Sequence, residues 1–271
     1  MKLIDTHSHI YEPEFDADRD EVVARARAAG VERLLFPAID AGSHPRMFAA
    51  CRRYGDWCRP MMGLHPTSVN DNPRWREELG EVEVYLKNPP DGIRFVGVGE
   101  IGLDFYWSAE FREEQTEAFR RQCRLALEYG LPIAVHTRSA WPEMEQVVAE
   151  FRGCGLRGVF HAFGEDAATY RRLRALGDFR FGIGGVVTYR KSRLADTVRE
   201  MALEDLVLET DCPYLTPAPF RGKRNESGYI SYICEKVAEL KGLTPGEVAA
   251  ATSATAERLF GIEDGGAAQN K

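Results

Sequence analysis

His7 and His9 stand two residues apart at the end of the chain's opening apolar run, in Ile4-Asp5-Thr6-His7-Ser8-His9. In a strand, residues i and i+2 project to the same side, so the two imidazoles can share one ligand sphere. Neutral imidazole suits zinc and other divalent transition metals. A His-x-His pair is weak evidence by itself, but other side chains occupy the same position relative to an apolar, strand-like run. Glu100 follows Phe95-Val96-Gly97-Val98-Gly99, and His136 follows Leu131-Pro132-Ile133-Ala134-Val135. His161 follows Gly158-Val159-Phe160, and Asp211 follows Leu206-Val207-Leu208-Glu209-Thr210. Six nitrogen and oxygen donors exceed what one tetrahedral zinc with an open position uses. Two divalent ions bridged by a carboxylate use them naturally, about 3.5–4 Å apart, and can clamp an in-line displacement while acidifying a bridging water.

Elements that bring such residues together must alternate strand and helix. Apolar runs predict eight strands, at residues 2–8, 31–38, 59–64, 94–100, 131–136, 157–162, 179–187 and 206–211. Between them lie amphipathic stretches such as 109–129, where Phe111, Ala118, Phe119, Cys123, Ala126 and Leu127 recur at helical spacing and Gly130 ends the pattern. Thr244-Pro245-Gly246-Glu247 combines a capping box with proline at the first helical position, opening a last helix that ends near Phe260. This alternation predicts an α/β fold, a single-domain (β/α)8 TIM barrel over residues 1–262, with a frayed tail over 263–271. A doubly wound open sheet fits less well. No Gly-rich phosphate fingerprint follows the first strand, and only a closed barrel makes strands 1, 4, 5, 6 and 8 converge on one mouth.

The formal charge of −7 argues against a general nucleic-acid coat but leaves room for basic loops. The six cysteines form no C-x-x-C pair, so neither a thiolate zinc cluster nor a disulfide framework is indicated, and Cys212 reads as a small core residue beside the site. No stretch approaches the roughly 20 apolar residues of a membrane helix. With the first strand starting at Lys2, no signal peptide is expected either, and the expectation is a cytoplasmic protein with no membrane and no obligate protein partner.

Several of these segments carry a family resemblance. His7-Ser8-His9, Gly99-Glu100-Ile101-Gly102-Leu103-Asp104, Pro132-Ile133-Ala134-Val135-His136-Thr137-Arg138, Phe160-His161-Ala162-Phe163 and Glu209-Thr210-Asp211-Cys212-Pro213-Tyr214-Leu215 occur in that order. With Pro219-Phe220-Arg221-Gly222-Lys223-Arg224-Asn225 after them, the chain from Leu3 to Phe260 resembles the TatD-type hydrolases, a branch of the metal-dependent amidohydrolase superfamily. The resemblance implies a (β/α)8 barrel and a metal-dependent deoxyribonuclease. It also implies that His7, His9, Glu100 and Asp211 hold one ion and Glu100, His136 and His161 the other, with Glu100 as bridge. Gly164-Glu165 after Phe163 departs from the family's usual small polar residue followed by glycine, which bears on local loop contacts. Asp211, touching both a metal and the bridging water, is then placed to take that water's proton. The expectation is two divalent ions, magnesium, manganese or zinc.

For substrate, Arg138 follows His136 by two residues and predicts an anion contact in the mouth. His65, after the third strand, is expected to touch a phosphate or support the metal shell, and His44 to be a plain surface or capping residue. Asp104 can orient a ligand or form a turn; Tyr106 and Trp107 can stack on a base or simply roof the barrel. Arg190-Lys191 and Arg221, Lys223 and Arg224 follow strands 7 and 8, where barrels commonly bind phosphate. Arg171, Arg172 and Arg174 read as a solvated helix face. The expected substrate is DNA, single-stranded or at its ends, since no groove-reading domain is visible. The rival reading is an amidase, lactonase or esterase for a small molecule. A non-enzymatic scaffold would carry damaged ligands, and none is damaged here.

Overall fold

The apolar runs pair side by side in chain order. In a computed structural model, which describes residues 1–262, the elements are β1 (Leu3–Asp5), α1 (Arg19–Ala28), β2 (Val31–Pro37), α2 (His44–Tyr54), β3 (Cys58–Met62) and α3 (Trp75–Lys87). They continue with β4 (Gly97–Asp104), α4 (Arg112–Glu128), β5 (Ile133–Arg138), α5 (Trp141–Glu150), β6 (Arg157–Phe160) and α6 (Ala167–Arg174). Last come β7 (Asp178–Ile183), α7 (Leu194–Glu200), β8 (Leu206–Leu208), α8 (Ile230–Lys241) and α9 (Pro245–Phe260). Every neighbouring pair of strands is parallel, in the order β1 to β8. The circle is closed by single bonds and one bridge: Thr6 N donates to Leu208 O at 3.1 Å, Asp211 N to His7 O at 2.9 Å, and Ser8 bridges to Cys212. The fold is a single-domain (β/α)8 barrel. The tail expected to fray, 263–271, lies outside the described residues.

Two apolar layers hold it. One fills the sheath between strands and helices. The other lies inside the barrel, where Ile4, Leu35, Met61, Val96, Ala134, Val159 and Val207 meet Ala256, Leu259, Phe260 and Ile262. The end of α9 is therefore a plug. It sits at the strands' N-terminal ends, since Ser253 Oγ donates to Lys2 O (3.1 Å) and Thr255 Oγ1 to Glu204 O (3.3 Å). Its start is the capping box read from the sequence, with Thr244 Oγ1 accepting from Glu247 N and Thr244 N donating to Glu247 Oε2. With this end filled, the C-terminal mouth is the end of the barrel left open among the described residues.

Details depart from the sequence expectation where hydrogen bonds override propensity. The helix expected from 109 begins at Arg112, because Ser108 Oγ accepts from Glu110 N in a preceding turn. The strand expected over 179–187 ends at Ile183, where Gly184 and Gly185 turn the chain; a Cβ on Gly185 would lie 2.0 Å from Leu215 O. His44 is not on the surface. It is 2% exposed, filling the space between α2 and α3 against the Phe48 and Tyr85 rings. Arg171, Arg172 and Arg174 pair with Glu200, Glu145 and Asp205 along the helix layer. Among the described residues no helix is long and apolar enough to cross a membrane.

Phe260→Ala should uncork the barrel's lower layer and cost about 3–5 kcal/mol, the range for truncating a buried Phe. Urea unfolding followed by circular dichroism checks this, and an unchanged midpoint would mean that α9 is an appendage and not a plug.

Candidate metal centre

A bulge in β4 builds the centre. The register with β5 shifts between Val98 and Ile101, and the backbone there turns to β2 instead: Ala38 N donates to Gly99 O at 2.9 Å and Glu100 N to Ala38 O at 3.0 Å. This crossing passes over the end of β3, where Gly63 must have no side chain, since a Cβ there would lie 2.9 Å from Gly99 C. A Cβ on Gly99 would meet Ala134 Cβ at 2.7 Å. Bulges re-aim side chains in this way. Glu100, expected at a strand's end, is in fact inside β4, which runs on to Asp104.

Five imidazoles surround this carboxylate, which is 4% exposed. Glu100 Oε2 lies 3.1 Å from His7 Nε2 and 3.7 Å from His9 Nε2. Its other oxygen, Oε1, lies 2.8 Å from His136 Nδ1, 3.4 Å from His161 Nε2 and 3.4 Å from His65 Nε2. Asp211 Oδ1 stands 3.6, 3.8 and 4.0 Å from the Nε2 atoms of His9, His7 and His161. The structure thus brings together all six residues singled out by their positions after apolar runs.

The route by which they arrive differs from the strand argument. β1 stops at Asp5, and His7 and His9 lie on irregular chain beyond it. That chain is held from both sides, Ser8 N donating to Leu35 O and His9 N to Cys212 O, each at 3.0 Å. Asp211 likewise lies beyond β8, in the left-handed region at φ 56°, a conformation Asp tolerates better than most residues. Its neighbours lock it there. Thr210 donates through N and Oγ1 to the two Asp5 oxygens (2.9 and 2.6 Å), while Asn225 Nδ2 donates to Thr210 O (2.8 Å) and Tyr214 O (2.6 Å). Burial pushes the Asp5 carboxyl up to about 7, against the lowering effect of these bonds.

Three further residues complete the centre. Glu209 Oε1 lies 3.0 Å from His161 Nδ1 and accepts from Ala162 N (2.6 Å), with room for the carboxylate left by Gly182, whose Cβ would sit 2.0 Å from Oε2. Sequence reasoning passed over Glu209, although an acid inside the run Leu206–Thr210, two residues before Asp211, is a buried charge needing a reason. Asp104 does both things considered for it: Oδ2 bonds His136 Nε2 (3.0 Å), and Oδ1 accepts from Tyr106 N (2.9 Å) and Trp107 N (3.3 Å). His65 is turned inward. Its Nδ1 accepts from Thr67 N (3.2 Å), which leaves the proton on Nε2, facing Glu100. Two glutamines of α4, seven residues apart on one face, fix the strand ends beneath: Gln115 bonds Asp104 N and O, and Gln122 bonds Leu64 N and O. The apolar pattern of α4 concealed both.

Electrostatics follow from crowding. Burial alone would raise the Glu100 and Asp211 carboxyls, but the surrounding imidazoles outweigh it and hold both below the usual range. For His161 burial works toward the neutral form and is outweighed by Glu209, Glu100 and Asp211, which lift it to about 10. Burial depresses His7 and His65. His136 is raised despite burial, through Asp104 and Glu100. Cys212 is a filler: burial pushes its thiol up to about 12.

A cavity of about 620 Å³ opens above the centre, lined by His9, His65, Glu100, His136, His161 and Asp211, and nearer the rim by Trp107, Arg138, Tyr214 and Leu215. The strand 8 loop is placed differently from expectation. Arg221, Lys223 and Arg224 do not line this cavity. Arg224 is committed elsewhere, donating to Glu14 O and Asp18 Oδ2 (each 2.6 Å) with its guanidinium over the Phe15 ring, so it ties the loop to the segment before α1. Arg221 lies over Tyr189, and Lys223 is exposed near Phe220. Arg190 and Lys191 are exposed.

The model of the TatD related DNase family matches residues 4–261. An uncharacterized metal-dependent hydrolase of Bacillus subtilis, YabD, is 36% identical over 265 residues, covering 96% of this chain and 99% of that protein. A protein of Citrobacter rodentium named 3′-5′ ssDNA/RNA exonuclease TatD is 33% identical, covering 96% and 98%. Among solved structures, the TatD homolog YJJV of Escherichia coli superposes with a TM-score of 0.88 at 28% identity, covering 96% and 98%.

In metal-free protein the His161 shift, from near 6.5 to about 10, stabilises the fold. A raised folded-state value makes that contribution complete below pH 6.5 and removes it as pH rises through about 10. Glu209→Gln deletes the first of the carboxylates that lift it, so the metal-free variant should lose less melting temperature than the parent between pH 7 and pH 10. Parallel slopes in a pH series of thermal melts would show that His161 does not carry the proton.

Proposed function

Because this chain belongs to the family of TatD related DNases and is a metal-dependent hydrolase, we propose that it hydrolyses phosphodiester bonds of DNA, taking single strands or accessible ends into its mouth cavity. The observation that carries this reading is the split Glu100 carboxylate, one oxygen among His7 and His9, the other among His136, His161 and His65. The relative named as a 3′-5′ ssDNA/RNA exonuclease supports a single-stranded substrate.

The residues fit divalent ions. The sets His7/His9/Asp211, His7/His161/Glu209 and His65/Glu100/His136 each bring donor atoms within 4.8 Å of one another. Glu209 Oε2 and His7 Nδ1 are buried without a hydrogen-bond partner among the described residues. In our reading His7, His9, Glu100 and Asp211 hold one ion and Glu100, His136 and His161 a second. Ions held there would supply Lewis acidity to the phosphoryl group and acidify the attacking water. Asp211, ionised at neutral pH and flanked by the bonds of Thr210 and Asn225, would accept that water's proton. Asp104 and Glu209 orient the rings of His136 and His161, and His65 and Arg138 face the phosphate. The decisive experiment is turnover of 3′-labelled single-stranded DNA, duplex DNA and a panel of lactones and amides with Mg²⁺, Mn²⁺ or Zn²⁺. Activity confined to the lactones and amides would overturn the nuclease reading.

Asp211→Asn keeps a side chain that tolerates the left-handed backbone but removes the basicity. Turnover should fall about 10²–10⁴-fold with smaller change in KM. Metal analysis alongside must show retained ions; full metal content with near-normal turnover would place the proton acceptor elsewhere.

The two exposed cations of the loop and the committed one should separate by mutation. Arg221→Ala with Lys223→Ala should flatten the salt dependence of DNA binding, as each lost phosphate contact lowers the slope by about 0.7 for a single strand. Arg224→Ala should instead lower the melting temperature. A salt slope untouched by the double change would assign this loop to the scaffold alone.

A further inference from the structure

Two large aromatic rings stand in water, Trp107 lining the cavity and Tyr106 next to it in the chain. Trp107 is 67% exposed and Tyr106 57%, in the turn between β4 and α4. They are not on a loose loop. Asp104, which bonds His136 at the centre, accepts from both of their backbone amides, and Gln115 grips Asp104 in turn. The rings meet edge to face, centroids 5.2 Å apart. Over the Tyr106 face, at 3.7 Å, lies the Arg138 guanidinium, 5.5 Å from the Trp107 ring. Among the described residues the Arg138 guanidinium has no hydrogen-bond or ion-pair partner, so its N–H edges are available to a ligand. Trp107 and Arg138 line the same cavity as Glu100 and Asp211. Tyr214, 58% exposed, lines it from the strand 8 side, four strands away around an eight-stranded barrel and so across the mouth.

We infer that Tyr106, Trp107 and Arg138 form a stacking platform for an unpaired terminal base of the strand being cut, with Tyr214 facing it across the cavity; this rests on the nuclease reading above. The chemistry of the patch selects the ligand. A fixed π-face beside an unpaired guanidinium matches a base joined to a phosphate, and stacking on it tolerates any base, since every base has a π-face. A base within a duplex is already stacked and paired, so the platform favours single strands and frayed ends. Because Asp104 holds both the platform and His136, a base seated there sets the distance of its phosphodiester from the centre.

Tryptophan fluorescence tests this without relying on turnover. Trp57 and Trp75 are 9% and 4% exposed, and Trp141 packs on Phe160 and Phe163, so quenching by a bound base reports on Trp107. The full-length, Mg²⁺-loaded protein is titrated with a phosphorothioate-linked trideoxynucleotide that resists cleavage, and with the same molecule made abasic at either end. The intact trinucleotide should quench the fluorescence, and the molecule abasic at one of its two ends should not. Trp107→Leu should weaken binding of the intact molecule by about tenfold and leave that abasic one unchanged, Trp107→Phe should restore most of the affinity, and Arg138→Leu, which also removes a phosphate contact, should weaken both. Equal weakening of intact and abasic molecules by Trp107→Leu, or no quenching at all, overturns the platform. If labelled DNA is nevertheless cut without quenching, the hydrolase reading stands and the platform falls; quenching without turnover under any metal keeps the platform and removes the nuclease reading.

Discussion

A carboxylate buried inside a barrel is costly unless opposite charge and hydrogen bonds surround it, and the architecture of this protein answers to that constraint at Glu100. The side chain reaches the axis because β4 bulges at Gly99-Glu100 and bonds to Ala38, the residue after β2, over the end of β3. That crossing exists only because Gly63 and Gly99 carry no Cβ. Imidazoles from the β1, β3, β5 and β6 ends then gather around the two oxygens. Four of those five rings are oriented from behind by a group of their own: His65 by Thr67, His136 by Asp104, His161 by Glu209 and His9 by Tyr11. Such supporting groups set tautomer and ring direction, so the donors converge before any cation arrives.

The joint of the barrel with the least strand pairing also carries three of the candidate ligands. β1 and β8 are three residues each, and the seam between them is closed by chain that has left the strands. Asp5, Thr6, Ser8, Thr210, Cys212, Asn225 and Ser227 fill that seam with side-chain hydrogen bonds in place of a ladder. The arrangement frees the segments carrying His7, His9 and Asp211 from strand geometry while keeping them rigid. At the opposite end, α9 supplies the apolar plug that a short-stranded barrel needs. Stability and chemistry are thereby assigned to different ends, as barrel folds generally do.

Much of this was legible in the residues. The alternation of apolar runs and amphipathic stretches specifies a (β/α)8 barrel because parallel strands require crossovers, and the capping box at Thr244 marks α9 because its hydrogen bonds are local. The six donors are readable because each follows an apolar run, and in a barrel the C-terminal ends of such runs face one mouth. Local signals of this kind survive in a linear pattern.

Tertiary structure decided what depends on partners distant in the chain. Glu209, Asp104 and His65 belong to the centre through contacts with His161, His136 and Glu100, and no spacing within their own segments encodes those contacts. Arg224 has the same charge as Arg221, yet Asp18 and Glu14, more than 200 residues earlier, draw it away from the mouth. Gln115 and Gln122 stand on the buried side of α4 as clamps, Gln115 on Asp104 of β4 and Gln122 on Leu64 just beyond β3. Sequence patterns carry periodicity and local hydrogen bonding, which determined the barrel and the direction its donors face. The pairing of each buried charge is settled only when the chain closes, because its energy depends on which groups share its desolvated surroundings.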